Sequence, residues 1–321
     1  MPYLLAMVVA ALIAAVATPP VRFLAQRLGA MDPPDARRPH KIHRVPTPLL
    51  GGLPIYGAVL FGVLVAPERH PAVWALMVPA TLSFALGAAD DIRPLPSWLL
   101  IGGRVGVVFL AVFMGLRPTV FGPAWVNAGV AVFWLGLVHI AFNTVDNTDG
   151  AATGLALVSC LVLFAAGLVA HDLVLAAMAA IVGGACLGFI GFNMSPGYIF
   201  LGDGGAFFLG FMVAGLGIIG PWQQPPLGGQ LVAPVLAAAV PVLNAVLEAA
   251  RLPGGLTHLH LRRQHRPATI LGCEYGAALV AALAAGLALG LPGWAAPPLL
   301  LIVVGVLLVY ARSVLRPRGA A

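Results

Sequence analysis

Five aspartates stand at the ends of long apolar runs: Asp90, Asp91, Asp146, Asp149 and Asp203. Acids are scarce in this chain, with Asp and Glu together numbering 11 among 321 residues. A carboxylate beside a bilayer is costly to bury and marks a site by default. Asp90-Asp91 close an apolar run in Gly87-Ala88-Ala89-Asp90-Asp91-Ile92-Arg93. Neighbouring helical side chains diverge by about 100°, so one carboxylate can hold a cation while the other faces a substrate. Phe142 to Gly150 packs Asn143, Asp146, Asn147 and Asp149 into a turn. Asp146 and Asp149 share a face if that turn is helical. Such a cluster could bind Mg2+ through water, hydrogen-bond a base or ribose, or be an ordinary Asn/Asp hairpin. Asp203 sits among glycines in Leu201-Gly202-Asp203-Gly204-Gly205, where phosphate or metal can approach both carboxylate and backbone N–H. No Lys-Ser/Thr follows, so this is not a Walker loop. Two basic, His-rich stretches, Arg37 to His43 and His258 to His265, supply cations suited to a diphosphate. Their spacing lacks the usual zinc-ligand pattern. A hard cation with oxygen ligands, surrounded by cationic side chains, is equipment for phosphoryl chemistry.

The elements that must position these residues are membrane helices. The chain is 60% hydrophobic and 9% charged, with mean hydropathy +0.99, whereas soluble domains are about a quarter charged. A spanning helix needs roughly 20 apolar residues. About eleven segments qualify by that ruler: 3–23, 49–66, 72–89, 98–115, 125–142, 150–170, 173–194, 205–220, 230–250, 275–291 and 294–312. The runs are continuous rather than alternating, which excludes a β-barrel. The expectation is an all-α, polytopic bundle forming a single domain over 1–321. The first segment lacks a basic n-region and reads as a retained helix. Lys and Arg concentrate in 24–48, 251–274 and the tail, and by the positive-inside rule these face the cytoplasm. The N-terminus is then outside and the C-terminus cytoplasmic, and the loops at 90–97, 143–149 and 195–204 share the cytoplasmic side. Net charge is +6, which reflects this bias and anionic headgroups, so no nucleic-acid partner is inferred. Cys160, Cys186 and Cys273 are isolated and indicate neither disulfides nor a metal cluster. Internal repeats are lacking and the acids cluster at one rim rather than mid-span, which speaks against a secondary transporter.

Four motifs occur in order: Lys41-x-His43 with Thr47-Pro48-Leu49-Leu50-Gly51-Gly52; Asp90-Asp91; Asn143-x-x-Asp146-Asn147-x-Asp149-Gly150; and Phe192-Asn193-x-x-Pro196 leading to Phe200-Leu201-Gly202-Asp203-Gly204-Gly205. With them the chain resembles the polyprenyl-phosphate sugar-1-phosphate transferases over about residues 20–270. That superfamily includes N-acetylglucosamine-1-phosphate and phospho-N-acetylmuramoyl-pentapeptide transferases.

The resemblance implies Mg2+-dependent transfer, with Mn2+ as an alternative, of a HexNAc-1-phosphate from a UDP-amino sugar to polyprenyl (undecaprenyl) phosphate. The products are polyprenyl-diphosphate-sugar and UMP. The setting it implies is a bacterial inner membrane, multi-pass, with the active site facing the cytoplasm and a cell-envelope glycan begun there; homodimers occur among such proteins. By motif position, Asp203 and Asp91 resemble metal ligands, and Asp90, Asp91 and Asp203 the catalytic acids. Asn143, Asp146, Asp149 and Asn193 match a nucleotide pocket, and Phe200 an aromatic stacked on uracil. Lys41, His43, His258, His260 and Arg262 match basic groups near the phosphates. The chain departs from the pattern in four places. Leu100 stands where a cation is usual, with Arg104 one helical turn on. Asn244 replaces an acid, Gly205-Ala206 stands where Gly-Ser is common, and Thr257-His258-Leu259-His260-Leu261 replaces a His-x-His-His element. These departures keep open an alternative, a weakened paralogue that binds lipid phosphate or nucleotide-sugar without turnover.

Overall fold

The computed structural model describes residues 2–34, 45–66, 70–194, 197–220, 223, 229–249, 267–290 and 296–315. They form helices α1 (Pro2–Leu28), α2 (Gly52–Val65), α3 (Pro71–Ile92), α4 (Ser97–Phe113), α5 (Ala124–Val145), α6 (Ala151–Val169), α7 (Leu173–Asn193), α8 (Gly202–Ile219), α9 (Gly229–Ala237), α10 (Ala239–Ala249), α11 (Pro267–Gly290) and α12 (Ala296–Leu315). Each of the eleven expected apolar segments coincides with one helix, except that the ninth is divided into α9 and α10. Seven helices among the described residues are long and apolar enough to cross a membrane, and shorter apolar helices accompany them. The chain is therefore a polytopic all-α membrane protein.

The division of the ninth segment has a local cause. Pro241 has no N–H, so the Ala237 carbonyl one turn earlier loses its helical partner. The Ser159 hydroxyl of α6 donates to that carbonyl at 2.6 Å. Inside a bilayer such a freed carbonyl must find a protein donor, because water is absent.

α8 forms the centre and packs against α2, α3, α5, α6 and α7. Its glycines allow this. A Cβ on Gly52 of α2 would lie 2.3 Å from the Gly205 Cα of α8, and one on Gly87 of α3 would lie 2.5 Å from the Asp203 backbone. At the periphery α1 crosses α7, where Cβ atoms on Gly184 and Gly188 would lie 2.1 and 2.0 Å from the Met7 and Ala11 carbonyl oxygens. Four-residue spacing of small residues is a common way for membrane helices to approach closely.

The sequence offered no strand, yet the structure has a two-residue ribbon. β1 (Met31–Asp32) pairs antiparallel with β2 (Thr47–Pro48), Met31 opposite Pro48. The ladder continues sideways: Phe200 N–H donates to the Pro48 carbonyl, and the Gly51 and Gly52 N–H groups donate to the Phe200 and Leu201 carbonyls, all at 2.8–2.9 Å. The entry to α2 is thereby tied to the entry to α8.

Candidate active site

The site is built on the first turn of α8. Asp91, at the end of α3, accepts from the Asp203 N–H through Oδ1 at 2.8 Å and from the Gly204 N–H through Oδ2 at 3.0 Å. These are two of the donors that a helix N-terminus leaves unpaired, and a carboxylate there also meets the positive end of the helix dipole. The cap requires glycine at 202, where φ is +76° and a Cβ would lie 2.5 Å from Asp91 Oδ2. Asp91, expected as a metal ligand, thus has both oxygens engaged in positioning α8.

Asp90 points differently. Its Oδ1 accepts from the Leu95 N–H at 2.6 Å, and its carboxyl lies within hydrogen-bond reach of Asp203. Two adjacent carboxylates repel unless a proton or cation lies between them. Asn143, near the end of α5, donates through Nδ2 to Asp203 Oδ1 at 3.2 Å. The Asn143 carbonyl oxygen in turn accepts from Arg104 Nη1 of α4 at 3.4 Å. The Arg104 guanidinium lies over the Phe207 ring, 4.1 Å from its centroid. Its Nε and Nη2 are buried without any hydrogen-bond partner. A guanidinium with two unpaired buried donors is equipped to bind an anion. Sequence reasoning offered Arg104 only as a stand-in for the cation missing at Leu100. The usable signal was a lone Arg inside an otherwise apolar helix.

The turn after α5 borders this cluster. Asp146, half-buried beyond the last residue of α5, is held well above the usual carboxylate range by burial and by the charges of Asp203, Asp91 and Asp149. A cation in the cluster would remove that pressure to bind a proton. Asp149 accepts from the Gly197 N–H at 3.1 Å, and the Phe200 ring lies beside Gly197. Asn193 is 2% exposed. Its Oδ1 accepts from the Gly150 N–H and the Thr153 hydroxyl, and its Nδ2 donates to the Ile199 carbonyl. Asn193 thus serves as an internal clamp joining two loops. The same turn is held from other helices. Asn244 donates to the Thr144 carbonyl at 3.2 Å, which a carboxylate at that position could not do, and the Tyr275 hydroxyl donates to the Gly150 carbonyl at 2.7 Å. The structure therefore brings together Asp90, Asp91, Asn143, Asp146 and Asp203, with Asp149, Asn193 and Phe200 ordering the adjoining loops. Lys41, His43, His258, His260 and Arg262 lie outside the described residues.

No group of three or more His, Cys, Asp or Glu in a metal-holding arrangement occurs among the described residues. Mg2+ does not need one, since it commonly binds through one or two carboxylates plus substrate phosphates and water. The Asp90–Asp203 pair fits that requirement, and an all-oxygen set suits Mn2+ as well.

Residues 73–221, which carry nearly all of α3 through α8, match the model of glycosyl transferase family 4. A decaprenyl-phosphate N-acetylglucosaminephosphotransferase of Mycolicibacterium smegmatis is 30% identical over 315 residues, covering 82% of this chain and 76% of the relative. A probable undecaprenyl-phosphate N-acetylglucosaminyl 1-phosphate transferase of Bacillus subtilis is 28% identical over 249 residues, covering 74% and 68%. A phospho-N-acetylmuramoyl-pentapeptide-transferase of a Synechococcus species is 28% identical over 285 residues, covering 78% of each.

Proposed function

We infer that this chain, which belongs to glycosyl transferase family 4, is a phosphotransferase that joins a hexosamine-1-phosphate to polyprenyl phosphate in a bacterial membrane. We propose further that the donor is a UDP-amino sugar, that UMP leaves, and that the product starts a cell-envelope glycan. The observation that carries the reading is the meeting of Asp90, Asp203, Asn143 and Arg104 at the N-terminus of α8.

An oxygen of the lipid phosphate attacks the β-phosphorus of the donor. The new P–O bond forms as the bond from that phosphorus to the bridging oxygen breaks, and UMP carries away the electron pair. The lipid phosphate is already an anionic nucleophile, so alignment and charge compensation are the main demands on the protein. Arg104 offers the N–H groups of two unpaired nitrogens, Nε and Nη2, to a phosphate and keeps its aim through Phe207 and Asn143. Asn143 also fixes one oxygen of Asp203. Asp91 holds the α8 terminus so that Asp203 and nearby backbone N–H groups stay in register. Mg2+ held by Asp203 and Asp90 would neutralise the diphosphate when substrates are bound. The basic stretches 24–48 and 251–274 support placing this rim at the cytoplasmic face.

The test is UMP release by the purified chain from a panel of UDP-HexNAc donors with decaprenyl phosphate, with and without Mg2+. Release is expected only with the cation and both substrates, and Asp203→Ala is expected to abolish it. A folded wild-type chain that binds UDP-sugar and never releases UMP would overturn the turnover reading in favour of a binding protein.

A further inference from the structure

We propose that the buried pair Ser83–His139 is a positioning device for Arg104: it fixes the Phe207 ring on which the guanidinium lies, and so aims the free N–H groups at a phosphate. The proposal rests on Arg104 being the phosphate-binding group of the site described above.

Ser83 of α3 and His139 of α5 are 0% and 1% exposed, within mostly apolar helices. Ser83 Oγ and His139 Nε2 share a hydrogen bond of 2.9 Å. Stability gives little reason for the pair, since replacing both partners of a buried hydrogen bond by apolar groups of the same shape is nearly neutral. Their placement gives a better one. His139 lies one helical turn below Asn143, and Phe207 one turn below Asp203. Two helices thus contribute one residue each to the site and one to the layer beneath it. The imidazole stands edge-on to Phe207, with centroids 5.3 Å apart and planes at 85°, and edge-on to Phe211 at 5.9 Å and 88°. The two helices are close enough here that a Cβ on Gly210 would lie 3.1 Å from the His139 Cα. The serine hydroxyl sets the rotation of the imidazole, the imidazole limits the tilt of Phe207, and Phe207 carries Arg104 at 4.1 Å. An apolar side chain at 139 could fill the volume but would not be held in one rotation by α3.

The experiment measures dissociation constants of decaprenyl phosphate and of UDP-N-acetylglucosamine for the full chain in detergent micelles. The proteins are wild type, Ser83→Ala, His139→Phe, Arg104→Ala and the Ser83→Ala/Arg104→Ala double variant. Ser83→Ala and His139→Phe are expected to weaken at least one ligand by about 3- to 20-fold, the range of single hydrogen bonds between membrane helices. Weakening of the lipid alone assigns Arg104 to the acceptor phosphate, and weakening of the nucleotide assigns it to the donor diphosphate; either supports the proposal. In the Arg104→Ala background Ser83→Ala is expected to add nothing. An undiminished effect in that background, or no effect of Ser83→Ala on either ligand in the wild-type background, overturns the proposal. If Arg104→Ala changes neither ligand, both the proposal and the assignment of Arg104 fall. If binding behaves as expected but UMP is never released, the turnover reading falls and the positioning role stands.

Discussion

α8 and α1 are both long apolar helices, and the less apolar of the two is the one enclosed by protein. The best 18-residue stretch of α8 has a mean hydropathy of 1.6 and is 94% buried, whereas that of α1 has 2.3 and is 17% buried. In water this ordering would be paradoxical. In a bilayer lipid tails are as apolar as leucine, so hydrophobicity does not drive helices together and close packing does. α8 owes its central place to glycines, among them Gly204, Gly205, Gly210, Gly215 and Gly217, which admit neighbouring backbones and side chains. α1 has no glycine and shows Leu5, Leu12 and Val16 to the outside. The consequence for function is that Asp203 rides on the candidate span most enclosed by protein, and the acids of α3 and of the turn after α5 meet it there.

The contrast is broken most severely by adding bulk where α3 meets α8. A Cβ at Gly87 would lie 2.5 Å from the carbonyl carbon and oxygen of Asp203. These are backbone atoms that cannot rotate aside. Gly87→Val is expected to cost about 3 kcal/mol or more, at the severe end for overpacked cores. The chain should then lose its folded fraction in size-exclusion chromatography, or keep it with UMP release largely gone. Wild-type stability and turnover in the Gly87→Val variant would show that α8 is free to move.

A smaller effect is expected at Asp91, and it separates the two members of the acidic pair. Asparagine at 91 could accept from one of the two α8 N–H groups but would turn its NH2 toward the other. Asp91→Asn should lower the stability of the detergent-solubilised chain by about 1 kcal/mol, the usual scale for a lost helix cap. Because Asp91 acts through α8, turnover should fall while the Mg2+ concentration needed for half-maximal activity stays near wild type. Asp90→Asn removes a carboxylate beside Asp203 and should raise that concentration. The reverse pattern would make Asp91 rather than Asp90 the metal ligand.

Much of this was legible from residue types, and the limits have physical reasons. The Asp90-Asp91 pair announced itself because acids are scarce, but side chains about 100° apart do not say which faces the site and which the neighbouring helix. The contact that distinguishes them in the fold, the Asp91 to Asp203 hydrogen bond, comes from α8, 112 residues away. Asn193 was readable as a polar group at a helix end. Its role as a clamp depends on Gly150 and Ile199, partners that no spacing rule supplies. His139 and Ser83 passed as parts of apolar runs, although an intramembrane histidine is itself a signal. The β1–β2 ribbon left no trace, since two residues cannot display a period. The break in the ninth segment was written in Pro241, and its remedy in Ser159 of another helix was not.

The mildest test sharpens the comparison from the side of α1. Leu12 is 60% exposed on that helix, facing outward from the crossing at Gly188, where α1 and α7 touch through the Ala11 carbonyl. In a soluble protein an exposed leucine changed to alanine would be neutral because water prefers the smaller apolar surface. Here it should be neutral for a different reason: the methyl groups removed were in contact with lipid, and lipid fills the space they leave. Leu12→Ala is therefore expected to change stability by less than about 0.5 kcal/mol and to leave UMP release unchanged. Ala11→Leu next to it leaves the carbonyl that touches α7 in place, so it too should be mild unless the added side chain points toward Gly188. The informative opposite is Gly188→Leu on α7, whose Cβ alone would lie 2.0 Å from that carbonyl oxygen. If Leu12→Ala proved as damaging as Gly188→Leu, α1 would be held by its apolar surface after all, and the idea that small residues rather than hydropathy choose the core of this bundle would fail.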